Sequence, residues 1–271
     1  MERSRLFASG YSLSHLLRSE EYYDVNIGHL LGWLNKFSET KEPMHLDKYF
    51  SYTAFDNAGE AIFSRSFGFI KEGEDVGGSI ANTRSLARHM GIAGYYVWIL
   101  RLLVANPIIT SSKLLPMGHM FNVAMETLRQ RKTDPDARFD IIAHWLRTHQ
   151  ESPDLLSYRE VEAQTTTTLA AGSDTLSCVL QTFVYFMSKN QNSWQRAKDE
   201  VKTAMREGHC LDQVISYDDA RKLPFLEACI YESLRMFGPG PFQLPRVAPK
   251  DGITIGSKYF PAGTVLSINP Q

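Results

Sequence analysis

Apolar positions return every three or four residues through the first 220 residues of the chain. Leu30, Leu31, Leu34 and Phe37 form one such set, and Phe121, Met125 and Leu128 another. That is the repeat of a helix with one buried face. Local start and stop signals agree with it. Asp134 followed by Pro135 predicts the N-cap and first residue of a helix over "DPDARFDIIAHWLRTH". Ser157 and Glu160 have the S-x-x-E spacing of a capping box, ahead of a helical run that reaches about Ser188. Roughly 30 residues at about 1.5 Å each make this a rod of ~45 Å, long enough to cross a whole domain. "NSWQRAKDEVKTAMREG" predicts the next helix, closed by Gly208. "DDARKLPFLEACIYESLRMFG" predicts one more, with Pro224 near its start and Gly238 just past its end.

The pattern then changes. "GPGP" and "LPRVAPKDG" carry too much proline and glycine for any helix. "ITIGSKYFPAGTVLSIN" alternates as two short strands joined around Pro261 and Gly263. The expectation is a mainly α fold with a small C-terminal β hairpin region: one domain over 1–271, helical over 1–238, loop and β over 239–271. The most apolar window, "GIAGYYVWILRLLVANPIIT" (91–110), is interrupted by Arg101 and ended by Pro107. A full membrane span does not fit it; a buried core helix and a membrane-touching surface both do.

Composition narrows the picture further. The chain has 271 residues, 43% hydrophobic and 22% charged, which is ordinary for a globular protein. A formal net charge of −1 leaves no basic excess to neutralise phosphates, so no nucleic-acid partner is expected. Cys178, Cys210 and Cys229 show no CxxC pairing, and reduced thiols are the expectation. "MERSRLFASG" at the start has no apolar stretch long enough for a signal peptide or an anchor.

Two short patterns could carry chemistry. In "LAAGSDTLS" (169–177), Gly172 costs about 1 kcal/mol relative to alanine inside a helix. A missing side chain is useful where something flat or bulky approaches the backbone, and equally where two helices cross closely. Asp174 and Thr175 supply a carboxylate and a hydroxyl, the beginnings of a proton relay. Thr165 to Thr168 precede them, with hydroxyls able to bond back to carbonyls and bend the helix. In "ESLR", Glu232 and Arg235 sit three apart and share a helix face. Taken alone this is a surface pair of small worth; its apolar flanks raise the second possibility of partial burial. Other motifs fail. "GPGPFQ" follows a helix and lacks the third glycine of a dinucleotide fingerprint, and no G-x-S-x-G elbow occurs. The histidines of "HWLRTH" are five apart and fall on different faces, a poor metal site.

Together the patterns are more specific. A long helix with A-G-S-D-T, a later helix with E-x-x-R, a proline-rich turn into "PRV" and a β element with "PAGT" resemble the cytochrome P-450 family of heme-thiolate monooxygenases. "HLDKYFSYTAFDNAGEAIFSRSFGF" (45–69) is similar to the mid-chain helix of fungal members, and the stretch from Ile215 to Pro270 is similar throughout. The resemblance implies insertion of one atom of O2 into a small apolar organic substrate, with NADPH-derived electrons from a reductase partner. It implies heme as cofactor and, for full-length members, the cytoplasmic face of the endoplasmic reticulum membrane, with a membrane surface as a further contact. By the same resemblance Ala171, Gly172, Asp174 and Thr175 form the oxygen-binding groove, where Asp174 and Thr175 deliver protons for O–O cleavage. Arg246 pairs with a heme propionate, Glu232 and Arg235 form a buried structural pair, and Phe242, Gln243 and Leu244 line the substrate pocket.

The family's iron-binding cysteine lies in a glycine- and arginine-bearing loop, and none of the three cysteines has that context. Cys178 and Cys229 are expected as buried core thiols. The expectation is therefore an internal piece of a monooxygenase, without the N-terminal anchor and the C-terminal ligand loop. The alternative is a catalytically inactive relative acting as a binding or membrane-surface module.

Overall fold

The computed structural model describes residues 6–85, 98, 118–133, 140–240 and 245–268. Its longer helices are α1 (Glu20–Thr40), α2 (Leu46–Phe63), α4 (Gly118–Thr133), α5 (Ile141–Glu151), α6 (Tyr158–Lys189), α7 (Gln191–Arg206) and α9 (Pro224–Met236). Two single-turn helices, α3 (Phe69–Glu72) and α8 (Tyr217–Ala220), lie between them. Four short strands follow: β1 (Arg246–Val247), β2 (Ile253–Ile255), β3 (Lys258–Phe260) and β4 (Val265–Leu266). The mainly α expectation holds.

The capping box forms as its spacing predicts. The Ser157 hydroxyl accepts from the Glu160 amide, and the Glu160 carboxylate accepts from the Ser157 amide. The helix it opens, α6, runs for 32 residues. Val161, Thr165, Leu169, Ser173 and Ser177, each four residues after the last, are buried along one side of it. Such a row is a ridge that fits the grooves of a neighbouring helix, and α6 packs most extensively against α2. Helix α2 is buried around nearly all its circumference, with Phe55 and Ala54 fully enclosed.

Two buried carboxylates tie this core together through several hydrogen bonds each. The buried Asp56 carboxylate accepts from the amides of Phe67 (2.7 Å), Gly68 (2.9 Å) and Ile70 (2.8 Å), fixing the turn that leads into α3. Asp140, also buried, pairs with Arg131 of α4, accepts from the Ser64 hydroxyl and caps α5 through the Ala143 amide.

Three expectations need correction. The cap of α5 is Asp140, whose extended backbone (φ −111°, ψ −177°) starts the helix six residues after the predicted Asp134; residues 134–139 lie outside the described ones. Asp140 caps locally through the Ala143 amide and is held as well by Arg131 and the distant Ser64. The C-terminal strands do not pair across Pro261 and Gly263. Instead β2 pairs with β3 around a two-residue turn at Gly256 (φ +60°), and β4 returns to pair with β1. Finally, Cys178 and Cys229 are half-buried and Cys210 is the buried thiol. The segment 91–110 lies outside the described residues except for Trp98, which is exposed. No helix among the described residues is long and apolar enough to cross a membrane.

Candidate functional site

The ridge that sinks into α2 leaves a neighbouring face of α6 open. Ala171, Gly172, Thr175 and Leu176 are exposed on it, while Ser173 between them is fully buried. Ser173, not Gly172, therefore makes the close helix crossing. A Cβ built at Gly172 would meet nothing nearer than the Ala58 methyl at 4.0 Å. Alanine would fit there, so packing against α2 does not account for the glycine.

The Thr175 hydroxyl donates to the carbonyls of Ala171 (2.9 Å) and Gly172 (3.3 Å), one turn back. Thr166 and Thr167 make similar bonds to Glu162 and Ala163, as expected of the threonine run. Asp174 is half-buried beside the open face. Loss of water pushes its carboxyl above the usual carboxylate range, and the positive charge of Arg84 opposes that rise. A carboxyl that holds its proton more readily, next to a hydroxyl that can rotate, is suited to passing protons to a group on this face.

The other predicted residues lie elsewhere. Glu232 and Arg235 of α9 do meet in a bidentate pair: Arg235 Nε donates to Glu232 Oε2 and Nη2 to Oε1, both at 2.7 Å. The pair is not buried, however, for the two side chains are 59% and 68% exposed. Helix α9 turns Ser233 inward and leaves the charged side solvated. Its hydrogen bonds hold the Glu232 carboxyl below its ordinary value. Arg246 stands in β1 opposite Leu266, with Nη1 donating to the Pro245 carbonyl. Phe242, Gln243 and Leu244 lie outside the described residues.

Two clefts lie farther along α6. One of about 480 Å³ is lined by Phe183, Met187, Trp194 and Leu226; the other, about 560 Å³, by Phe186, Phe225, Cys229 and Glu232. Neither includes Asp174, Thr175 or Arg246. Among the described residues no three His, Cys, Asp or Glu side chains gather to hold a metal ion. His144 and His149 part as their spacing predicts: His144 packs near His15, and His149 Nδ1 lies 2.7 Å from the Leu156 carbonyl oxygen. Sequence spacing gave no hint of Arg84, which reaches the Asp174 neighbourhood from ninety positions upstream.

A long capped helix carrying A-G-S-D-T, a paired E-x-x-R helix and a small terminal β element follow one another along the chain. The family model of cytochrome P450 matches residues 2–271, and the chain belongs to that family. It is 27% identical over 268 residues to the cytochrome P450 monooxygenase mpaDE of Penicillium roqueforti (strain FM164), covering 96% of this chain and 31% of that protein. It is 29% identical over 272 residues to a cytochrome P450 monooxygenase of Aspergillus terreus (strain NIH 2624 / FGSC A1156), covering 97% and 55%. With the cytochrome P450 monooxygenase aba2 of Botryotinia fuckeliana (strain B05.10) the identity is 26% over 275 residues, covering 98% and 51%. The chain thus spans between about a third and about half the length of these curated relatives.

Proposed function

We propose that this chain provides the oxygen-side wall and the proton-handling groups of a heme monooxygenase acting on a small apolar substrate, with NADPH-derived electrons delivered by a reductase. The open face at Ala171, Gly172 and Thr175, beside a buried row that packs without needing the glycine, carries the reading. It offers a flat group close approach to the helix backbone, which fits one face of heme. When bound, heme supplies the family's one-electron and O2 chemistry.

The chain's own residues then have separate tasks. Rotation of the Thr175 side chain would free its hydroxyl from the Ala171 and Gly172 carbonyls and turn it to the open face. Asp174, one residue earlier, holds the proton to be passed on. The guanidinium of Arg246 would take a heme propionate in a charge-assisted bond. Phe242, Gln243 and Leu244 would border the substrate.

A second reading has an observation in its favour. Burial pushes the thiols of Cys210 and Cys229 up, the opposite of what an iron-bound thiolate needs. On that reading the chain is a non-catalytic relative that acts as a binding module. Heme titration of the expressed chain, followed by reduction and addition of CO, tests both. Soret-band binding in the parent, lost in Gly172→Phe with the far-UV circular dichroism unchanged, is the result expected of the first reading. Binding that Gly172→Phe leaves intact would remove the 171–175 face as the heme wall. Absence of any Soret-band binding by the parent would favour the second reading.

A further inference from the structure

Ser51 of α2 and Ser177 of α6 are both buried, with their hydroxyl oxygens 2.9 Å apart across the main helix crossing. The directions of their bonds can be assigned. Ser51 donates its single proton to the Asp47 carbonyl at 2.8 Å. The bond between the serines must then run from Ser177 to Ser51. Ser177 accepts from Gln181 Nε2 at 2.8 Å, and the remaining lone pair of Ser51 accepts from Arg84 Nη2 at 2.9 Å. Both hydroxyl protons are committed, so this bridge conducts no proton to Asp174. Its role is to anchor a guanidinium.

The anchor lies beside the acid. Ser177 is three residues beyond Asp174, and residues three apart on a helix are neighbours on one side, with Cβ atoms about 5–6 Å from each other. We propose that Arg84, pinned by the Ser51–Ser177 bridge, is a positioning residue that supplies the countercharge to the Asp174 carboxylate. Among the described residues Arg84 is the charge that bears on Asp174, and it acts also on Tyr52, on which Asp47 and Asp75 bear as well. It comes from the helical residues 79–85, not from α6, so the charge state of the acid depends on where a separate segment sits. The inference rests on the proton role given to Asp174 above and deepens it.

Its test needs no heme. The 13C carboxyl resonance of Asp174, assigned with Asp174→Asn, is titrated in the parent chain and in three variants. Arg84→Gln keeps a donor for Ser51 and loses the charge; it is expected to raise the titration midpoint by about half to one pH unit, a three- to tenfold gain in proton affinity. Arg84→Lys restores most of the difference. Ser51→Ala releases the guanidinium without removing it and gives a smaller rise in the same direction. Parental midpoints in both Arg84→Gln and Ser51→Ala, with unchanged far-UV circular dichroism, would overturn the proposal. If Arg84→Gln does not fold, Ser51→Ala alone decides. Loss of the heme-binding result would leave this titration standing, so the two readings fail separately.

Discussion

Helices α6 and α9 both carry short polar motifs between apolar residues, and the fold treats them oppositely. The 161–177 ridge of α6 is sealed against α2, so the hydroxyls of Thr165, Ser173 and Ser177 lie in a low dielectric, and Asp174 beside them is half-buried. Helix α9 and the strands after it expose Tyr231, Phe237, Val247 and Val265 along with the Glu232–Arg235 pair. A bidentate ion pair with 2.7 Å bonds is thus held in solvent, where it is screened. A half-buried single aspartate, by contrast, has its proton affinity raised by loss of water, against the opposing charge of an arginine from another helix. What a polar motif does energetically is decided by what packs over it.

The contrast can be broken or sharpened by experiment, and the greatest effects belong to the α2–α6 side. Asp56→Ala strands three amides, that of Ile70 buried and those of Phe67 and Gly68 partly so, and is expected to cost about 3 kcal/mol, measured by urea unfolding. Gly59→Ala comes next, at roughly 1–3 kcal/mol, because the new Cβ would lie 2.4 Å from the Arg65 carbonyl oxygen and the backbone must move.

A pH effect of intermediate size arises where residues 6–19 meet α5. Burial lowers the proton affinity of both His15 and His144, with help from Arg18 and Arg147 respectively. Groups depressed in the folded state contribute stability above the ordinary imidazole range and lose it as pH falls through their folded values. Stability should therefore drop on mild acidification, and His15→Gln should flatten that drop in thermal melts. Asp174 has the opposite sign. Its folded carboxyl is raised, so its ionised form weighs against folding as pH rises through that value. Asp174→Asn should melt slightly higher than the parent at neutral pH and equally below the carboxylate range. Last, Glu232→Gln should leave the unfolding midpoint within error of the parent. A clear drop there would mean that α9 is covered in solution and that the contrast between the two helices fails.

How much could be foreseen depended on the range of each interaction. The capping box at Ser157, Asn190 as cap of α7 and Pro224 at the first turn of α9 close within three or four residues, where spacing is sufficient information. Sequence spacing predicts the first and last of these; for α7 it points to the residues just after Asn190. At α5 the local preference for Asp-Pro pointed to 134, whereas Asp140 is fixed by Arg131 and Ser64, the latter from 76 residues away. In the β region Pro261 and Gly263 were strong turn signals, but the Gly256 turn was tighter and left β4 to β1.

The order of residues alone was enough to set the helical succession, the length of α6, the grouping of Ala171, Gly172, Asp174 and Thr175 on it, and the family. Helical periodicity, caps and adjacent motif residues are encoded within a few turns of chain. Which face of α6 stays open, the solvated state of the Glu232–Arg235 pair and the reach of Arg84 to Asp174 emerged only from the tertiary structure. Burial and electrostatic partnership depend on distances between segments far apart in sequence, and no local pattern specifies those.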